Sequence, residues 1–533
     1  MWGSMPQTLE KTIVIDDFYG GIAESDLDIY SKPGEASYIQ ATDIFHTKEF
    51  LRPGYDMVDD SGGVSASNGS VPRVRAYVKR SGTDVLYCAQ WFQNTGDSKY
   101  FTHILKKASL TGTWSELTVE TIDVWAVEPA FALWELNGVL YWFGEKTSAA
   151  AAGCVINSYN IGTSTLTENY DDLNVAIWGS PTTSINAGIM AHSDGNHYIF
   201  KDRYIGVFDG TTKPSLVTPF ALPANYGIVD AISYGHYILI AANDGSNTAV
   251  TGAGRTSKLF LLDPYSNSGV YTFDEIYDAQ TYNIQGLALV EGRVKVITHA
   301  FDYFILDWSG QNFLSNEKKL KIESNGTATD IRRSAIDVKD NVLYFGTKGP
   351  SSGSSFVNGI YAYGREKSDS PPALQNAFIN HSDTTDAVDY RAIKWSMEGA
   401  QILFASWYDQ TNYKMSRSST SRDTANFKYQ TIYFRPWRNL RSQPLRVTFY
   451  HTALGASDRF TFSMRRDEDA AFTEIDASVG ATSSSETVLV NNNSGLSNNF
   501  LTGYKHQGQI TVASGATGFQ LEAIKFKFRS RDL

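Results

Sequence analysis

The sequence is poor in cysteine and has no long hydrophobic run. Its 533 residues include two cysteines, Cys88 and Cys154, neither in a Cys-x-x-Cys motif, which excludes a disulfide-stapled scaffold. Both have apolar or small neighbours, so we expect buried free thiols. The apolar run YILIAA is far shorter than the roughly 20 residues of a membrane span. The first residues, MWGSMPQTLEK, lack the apolar core of a signal peptide. We therefore expect a soluble protein, made in the cytoplasm, without membrane insertion.

Charged residues are few, and no segment is rich in lysine and arginine. They make up 19% of the chain, and the formal net charge is -11. Binding driven by the phosphate backbone needs a basic surface, because it works by releasing counterions. We therefore expect no specific nucleic-acid binding.

Catalytic and cofactor motifs are missing from the sequence. It contains no Gly-x-Ser-x-Gly, no P-loop and no Gly-x-Gly-x-x-Gly before a helix. The segment TGAGRTSK (251–258) is similar to a phosphate loop, but it falls between predicted strands. SDGNHYIF (193–200) lacks the residue order of the Asp-box of sialidase-type propellers. The sequence therefore predicts no cofactor and no catalytic residue.

Some polar and aromatic residues are candidates for a site. Glycosidases need two carboxylates about 5 to 9.5 Å apart, and the acidic pairs are Asp16-Asp17, Asp26/Asp28, Asp59-Asp60 and Asp467/Asp469. Solvated loop acids are the favoured interpretation, and no metal site is expected at the one close histidine pair, His192 and His197. Three tryptophans are candidates for stacking on sugars: Trp125, Trp178 and Trp437. The favoured interpretation is that their side chains pack between neighbouring sheets.

Aromatic residues and glycine are abundant. The chain has 30 Tyr, 29 Phe, 11 Trp and 43 Gly, a mixture of strand formers and turn formers that indicates an all-β protein. Long helices are not expected anywhere.

One hairpin pattern recurs along the chain. In LWELNGVLYWFGE (133–145), Asn137-Gly138 separates two apolar runs, as in a type I′ hairpin. Similar turns recur about every 53 residues, at Gly82, Gly138, Gly195, Gly235, Gly292, Asn341 and Gly399. Blades of a β-propeller have such a period, because a four-stranded sheet covers its faces by packing on its neighbours. The pattern predicts about seven blades; a series of β-sandwiches is the alternative.

The composition changes at both ends of the repeats. We predict an N-terminal extended arm and lead-in over 1–72, a β-propeller over 73–420 and a C-terminal β-sandwich over 421–533. RFTFSMR and AIKFKFR in the last region alternate apolar and polar residues, as half-buried strands do. The arm could pair with the last blade and close the ring, or reach a neighbouring subunit.

Three segments together resemble a known family. They are IDDFYGGIAESD near the start, the divergent repeats, and YQTIYFRPWRNLRSQPLRVTFY followed by FTFSMRRDEDAAFTEI. This layout resembles virion structural proteins of tailed bacteriophages, in which an arm precedes a β-propeller and a C-terminal β-sandwich. The resemblance implies a non-enzymatic component of the tail, neck or tail tip, made in the host cytoplasm and located in the virion.

The same resemblance implies partners. A virion component would contact other virion structural proteins and form a homo-oligomeric ring, since symmetry multiplies modest interfaces. The alternative is a receptor-binding propeller protein that holds host-surface carbohydrate through propeller-face or sandwich loops. A glycosidase is the less favoured third possibility, and an exported adhesin would need a signal that the sequence lacks.

Overall fold

The structure is a computed structural model in which nearly every regular element is a strand. It describes residues 9–18, 21–22, 35–45, 50–63, 73–79, 85–94, 99–119, 132–148, 151–173, 187–201, 203–208, 220–244, 257–265, 273–278, 283–299, 303–308, 314–320, 331–347, 359–365, 372–379, 388–396, 401–408, 413–452, 454, 459–467, 469, 471–480, 484–490, 501–512 and 518–530. The described helix is one 3-10 turn, Arg333–Ala335. The expectation of an all-β chain is therefore confirmed.

The described strands run in this order: β1 (Glu10–Ile15), β2 (Gly21–Ile22), β3 (Glu35–Gln40), β4 (Thr42–Asp43), β5 (Arg52–Pro53), β6 (Tyr55–Asp59), β7 (Arg73–Lys79), β8 (Leu86–Asn94), β9 (Lys99–Lys107), β10 (Trp114–Val119), β11 (Leu133–Leu136), β12 (Val139–Ser148), β13 (Ala151–Asn160), β14 (Thr165–Leu173), β15 (Ala187–Ala191), β16 (His197–Lys201), β17 (Tyr204–Phe208), β18 (Phe220–Ala221), β19 (Tyr226–Tyr234), β20 (Tyr237–Asp244), β21 (Ser257–Leu262), β22 (Phe273–Asp278), β23 (Asn283–Val290), β24 (Arg293–His299), β25 (Tyr303–Trp308), β26 (Leu314–Leu320), β27 (Ile336–Lys339), β28 (Val342–Gly346), β29 (Ile360–Gly364), β30 (Ala373–Phe378), β31 (Asp389–Trp395), β32 (Leu403–Tyr408), β33 (Tyr413–Arg422), β34 (Lys428–Thr431), β35 (Ser442–His451), β36 (Phe460–Arg466), β37 (Thr473–Val479), β38 (Ser485–Leu489), β39 (His506–Val512) and β40 (Leu521–Ser530).

Most strands belong to four-stranded sheets that follow one another along the chain. The strand orders are β10-β9-β8-β7, β11-β12-β13-β14, β15-β16-β17-β18, β19-β20-β21-β22, β23-β24-β25-β26, β27-β28-β29-β30 and β31-β32-β33-β6. In the last of these sheets, the fourth strand is β6, from the N-terminal segment, and the Asp60 amide donates to the Met415 carbonyl at 3.0 Å. The other described sheets are β1-β40-β35-β38, β2-β3-β34-β39-β36-β37 and β4-β5.

The turns predicted from sequence join the first two strands of a sheet. Asn137 and Gly138 have φ of 53° and 80°, as a type I′ turn requires, and they join β11 to β12. The turns at Gly195, Gly235, Gly292 and Asn341 also have positive φ. Gly82 and Gly399 lie outside the described residues. The hairpin predictions that can be examined are therefore confirmed.

Apolar clusters join consecutive sheets. One cluster packs Tyr87 and Ile104 of the first sheet against Leu140 and Trp142 of the second. Further clusters join the second sheet to the third, the third to the fourth and the fourth to the fifth. Another packs Phe404, of β32, against the first sheet.

Strand β20 shows why these sheets need neighbours on both faces. Ile238 and Ile240 pack toward the third sheet, whereas Leu239 and Ala241 pack toward the fifth. Successive side chains of a strand point to opposite faces, so an unbroken apolar run such as YILIAA is buried on both sides. Within the described ranges, no helix has the length and hydropathy to cross a membrane.

The chain divides into two compact units. Unit 1 comprises residues 1–57, 359–382 and 418–533, and unit 2 comprises 58–358 and 383–417. In unit 1, Phe449 of β35 contacts Phe460 and Phe462 of β36 at ring-centroid distances of 5.1 and 5.0 Å. Two sheets of unit 1 therefore share an aromatic core.

Candidate functional site

A pocket of about 460 Å³ opens in unit 1. It is lined by Arg435, Arg438, Asp467, Tyr504 and Lys505. These residues come from three places: the loop between β34 and β35, the end of β36, and the residues just before β39. The volume lies within the roughly 300 to 1,000 Å³ of small-molecule sites.

Asp467 holds the wall of the pocket in place. Its Oδ1 atom accepts hydrogen bonds from the backbone amides of Tyr504 at 2.8 Å and Lys505 at 3.1 Å. Its own amide donates to the Lys505 carbonyl at 2.8 Å. Asp467 has a φ of 44°, a conformation that aspartate tolerates better than most residues. A Cβ atom at Gly503 would lie 2.6 Å from Asp467 Oδ2, so glycine permits this close approach.

Cationic side chains dominate the pocket. Arg435 and Arg438 are exposed, and neither forms an ion pair or hydrogen bond with a residue that the structure describes. The Lys505 ammonium lies 4.7 Å from the ring centroid of Tyr433, which is attractive because the ring face is electron-rich. The pocket is therefore positive, although the protein is acidic overall.

Tyr504 offers an aromatic surface at the same place. The residue is 51% exposed, and its backbone is fixed by Asp467. An exposed tyrosine ring has an apolar face and a polar hydroxyl. It can stack on the C–H face of a ligand at little entropic cost, because the ring has few rotatable bonds.

His506 supports the pocket from behind. Its backbone exchanges hydrogen bonds with Phe434, the residue before Arg435, at 2.9 and 2.7 Å. Its Nε2 atom lies 2.9 Å from Ser442 Oγ, and the residue is completely buried. Burial lowers the pKa of His506 to about 4, so the ring is neutral near pH 7.

A second cluster of charged side chains lies in unit 2. Arg333 pairs with Asp230, and its Nη2 atom donates to the Ile189 carbonyl at 2.9 Å. Arg332 donates to both carboxylate oxygens of Asp389, at 3.3 and 3.2 Å. The other oxygen of Asp230 accepts from the Leu287 amide at 2.9 Å. Asp230 thus joins β19 to β23, the first strands of neighbouring sheets, and Asp389 joins β31 to the segment just before β27.

The spacing of these contacts reproduces the sequence repeat. Leu287 follows Asp230 by 57 residues, and Asp389 follows Arg332 by 57. Asp337 contacts Lys394, again 57 residues further on, at 2.8 Å. These three contacts join residues one repeat apart, whereas Arg333 reaches Asp230 and Ile189 across 103 and 144 residues.

We expect Gly188→Ala to destabilise unit 2. A Cβ atom there would lie 2.3 Å from Phe200 Cζ and 2.5 Å from Arg333 Nη1. The guanidinium would have to leave Asp230 and the Phe200 ring, at a cost of about 1 to 3 kcal/mol of unfolding free energy. Urea unfolding of the wild type and the variant measures this change in unfolding free energy. Gly162→Ala, where the nearest side-chain atom is 3.4 Å away, is the control, and equal losses in the two variants would contradict the account.

The expectation of solvated loop acids is wrong for Asp60. Asp60 is 5% exposed, and its Oδ1 atom lies 2.6 Å from Lys107 Nζ. Trp114 Nε1 donates to its other oxygen at 2.9 Å. The neighbouring Asp59 is exposed and accepts from the Ser61 amide and hydroxyl. Asp60 is buried by residues far along the chain, so the local sequence Asp59-Asp60 does not indicate which of the two acids is buried.

The remaining candidate residues have varied environments. His192 is buried beside Asp194, with Nδ1 3.2 Å from Oδ1, and no group of three or more metal-type ligands gathers among the described residues. Cys88 is a buried free thiol as expected, and burial raises its pKa. Trp437 is half-buried and lies between the two pocket arginines in the chain. Asp26, Asp28, Trp125, Trp178 and the side chain of Cys154 lie outside the described residues.

Sequence reasoning missed the pocket itself. Its residues converge from strands that are distant in the chain, so no local motif carries them. One signal was present, however: RPWRNLR (435–441) holds three arginines within seven residues of an acidic protein.

Comparisons with known proteins gave only structural likenesses. No protein-family model matches the sequence, and no curated protein matches it. An exo-beta-1,3-galactanase from Phanerochaete chrysosporium with galactose is 10% identical, with a TM-score of 0.31, covering 88% of this chain and 100% of that one. A Bacteroides ovatus protein titled Xyloglucan PUL GH43B is 12% identical, with a TM-score of 0.28 and coverage of 87% and 99%. A putative 6-phosphogluconolactonase from Bacteroides uniformis is 11% identical, with a TM-score of 0.38 and coverage of 79% and 99%.

These comparisons correct two expectations. The main expectation, a non-enzymatic structural component of a virion, is contradicted because the similar structures include glycoside hydrolases. The expectation that the chain is not an enzyme is contradicted by the same finding. With TM-scores of 0.31, 0.38 and 0.28, the likeness assigns no fold, activity or substrate to this chain.

Proposed function

We propose that this protein binds carbohydrate through the pocket of unit 1. The observation that carries the proposal is the pairing of an exposed, backbone-anchored Tyr504 ring with hydrogen-bonding side chains around one concave site. A sugar ring has an apolar C–H face and a rim of hydroxyls. The aromatic ring suits the face, and Arg435, Arg438 and Lys505 suit the rim.

The architecture proposed with this function is a propeller of seven blades over 73–420 and a β-sandwich over 421–533. Seven four-stranded sheets between β6 and β33 support the propeller, together with the apolar clusters that join the first five of them in order and the last to the first. The phenylalanine contacts between β35 and β36 support the sandwich. The homo-oligomeric ring, the virion partners and the virion location stay predictions, and the mass of the full chain in solution tests the first of them.

Tyr504→Ala is expected to weaken glycan binding about ten-fold or more. Covering a large aromatic side chain contributes about 1.5 to 3 kcal/mol, and each 1.4 kcal/mol is a factor of ten in affinity. The measurement is binding of the full chain to an array of neutral and acidic glycans, followed by titration with the best ligand.

Tyr450→Ala is the matched control. Tyr450 is also exposed, at 38%, and lies on β35 of the same unit rather than in the pocket. We expect it to bind like the wild type. A wild-type protein that binds no glycan, or a Tyr504 variant that binds unchanged, would refute the proposal.

A further inference from the structure

We infer that the pocket of unit 1 selects acidic saccharides, whose sugars bear a carboxylate, over neutral ones. This inference rests on the proposed function and narrows its ligand class. Three cations line the pocket, Arg435, Arg438 and Lys505, against one carboxylate, Asp467. The whole chain has the opposite balance, with 46 Lys and Arg against 57 Asp and Glu.

The one carboxylate of the pocket is already engaged. Asp467 Oδ1 accepts two backbone amides, from Tyr504 and Lys505. Two hydrogen bonds on one oxygen hold the wall and offset part of the negative charge. The carboxylate therefore does not neutralise the arginines by direct contact.

The two arginines are available to a ligand. Neither Arg435 nor Arg438 pairs with an acid in the part of the chain that the structure describes, unlike Arg466, whose Nε atom lies 3.5 Å from Asp469. A guanidinium presents a rigid fork of N–H donors that matches a carboxylate with two parallel hydrogen bonds. The hydroxyl groups of a neutral sugar match this donor geometry less well than a carboxylate does, and they carry no charge to pair with the guanidinium.

The Tyr504 ring distinguishes a sugar from a bare anion. A site for inorganic phosphate or sulfate needs donors only, whereas this pocket adds an exposed aromatic face and a volume of about 460 Å³. Ring and charge on one wall fit a ligand with both a pyranose face and a carboxylate.

The test uses a matched pair of ligands. Oligogalacturonides are titrated into the full chain as free acids and as methyl esters, which keep the sugar backbone and lose the charge. We expect the free acid to bind about ten-fold or more tightly than the ester, since charge-assisted hydrogen bonds are roughly twice as strong as neutral ones. Raising the salt concentration should narrow the difference, because exposed charge pairs are screened.

Two variants locate the preference. Arg438→Gln, alone or with Arg435→Gln, should weaken binding of the acid about ten-fold and leave binding of the ester nearly unchanged. Arg446→Gln, an exposed arginine on β35 outside the pocket lining, should change neither. An acid preference that survives the pocket variants would overturn the inference.

The failures of the two proposals are distinguishable. Equal, Tyr504-dependent binding of acid and ester would overturn the acidic preference and leave carbohydrate binding intact. If neither these ligands nor any glycan of the array binds, the proposed function fails and the preference fails with it. Inorganic sulfate that displaces the acid at equal concentration would show that the pocket recognises an anion without its sugar, which would also overturn the inference.

Discussion

Replacing Asp60 by alanine is expected to remove about 3 to 5 kcal/mol from the free energy of unfolding of unit 2. Lys107 is 1% exposed at its side chain, and Asp60 is 4% exposed. Their contact at 2.6 Å is joined by Trp114 Nε1 at 2.9 Å and by Arg417 Nε at 3.3 Å. Without the carboxylate, the ammonium would remain buried among rings, 5.0 Å from the centroid of Trp114.

The loss of stability in Asp60→Ala comes from leaving the Lys107 ammonium buried and unpaired. It does not reflect a large net attraction between the two residues. Burial raises the pKa of Asp60 even against its hydrogen bonds with Lys107 and Trp114, and burial lowers the pKa of Lys107. Both directions show that desolvation opposes the charged forms. Removing one partner is therefore severe, whereas removing both can be almost neutral.

Urea unfolding of four variants decides the point. Asp60→Ala and Lys107→Met should each destabilise strongly, and the double variant should lose clearly less than the sum of the two. Asp59→Ala, at the exposed neighbour, is the control and should lose about 1 kcal/mol or less, mainly its turn hydrogen bonds to Ser61. Equal losses for Asp59→Ala and Asp60→Ala would contradict the account.

The position of Asp60 gives the pair a role in the fold. Asp60 directly follows β6, and its amide donates to Met415 of β33. Lys107 ends β9 of the first four-stranded sheet. The buried pair thus ties the strand that completes the seventh sheet to the first sheet, in addition to the apolar cluster around Phe404.

Local chemistry explains why much of the fold was predictable. A turn such as Asn137-Gly138 is specified by residues that tolerate positive φ, and its flanking strands by adjacent apolar runs. Counting these turns gives a mean repeat of about 53 residues, and the contacts of Asp230 and Arg332 span a similar 57 residues. Each of these features depends on neighbours in sequence or on the period itself.

The pocket and the buried Asp60 could not be predicted, because both depend on residues that are distant in the chain. Asp60 is buried by residues 47 and 54 positions away in the chain, and nothing in its local sequence differs from a solvated loop acid. In the pocket, Asp467 meets Tyr504 across 37 residues. Trp437 was selected as a possible sugar-stacking residue, and its loop does carry Arg435 and Arg438. The ring that lines the pocket is nevertheless Tyr504.

Lowering the pH from 6.5 to 4 is expected to remove about 3 kcal/mol from the stability of unit 1 through His506. Burial lowers the pKa of its ring from 6.5 in the unfolded chain to about 4 in the fold. Between these values the unfolded chain binds a proton that the folded one does not. Stability therefore falls as the pH decreases through this window, by about 1.4 kcal/mol per pKa unit of difference.

The reason for the low pKa lies in the surroundings of the ring. His506 packs 5.1 Å from the Phe528 ring, and Nε2 faces the Ser442 hydroxyl. Nδ1 is buried without a hydrogen-bond partner among the described residues. An imidazolium would need two acceptors, so the fold favours the neutral ring.

Urea unfolding at several pH values between 6.5 and 4 tests this, with His506→Gln beside the wild type. The variant should lose stability at pH 7 but show a shallower decrease of stability toward pH 4.

His103 in unit 2, whose pKa burial also lowers to about 4, contributes a pH dependence of stability that both proteins share. Identical slopes for the wild type and His506→Gln would contradict the lowered pKa of this ring in the fold.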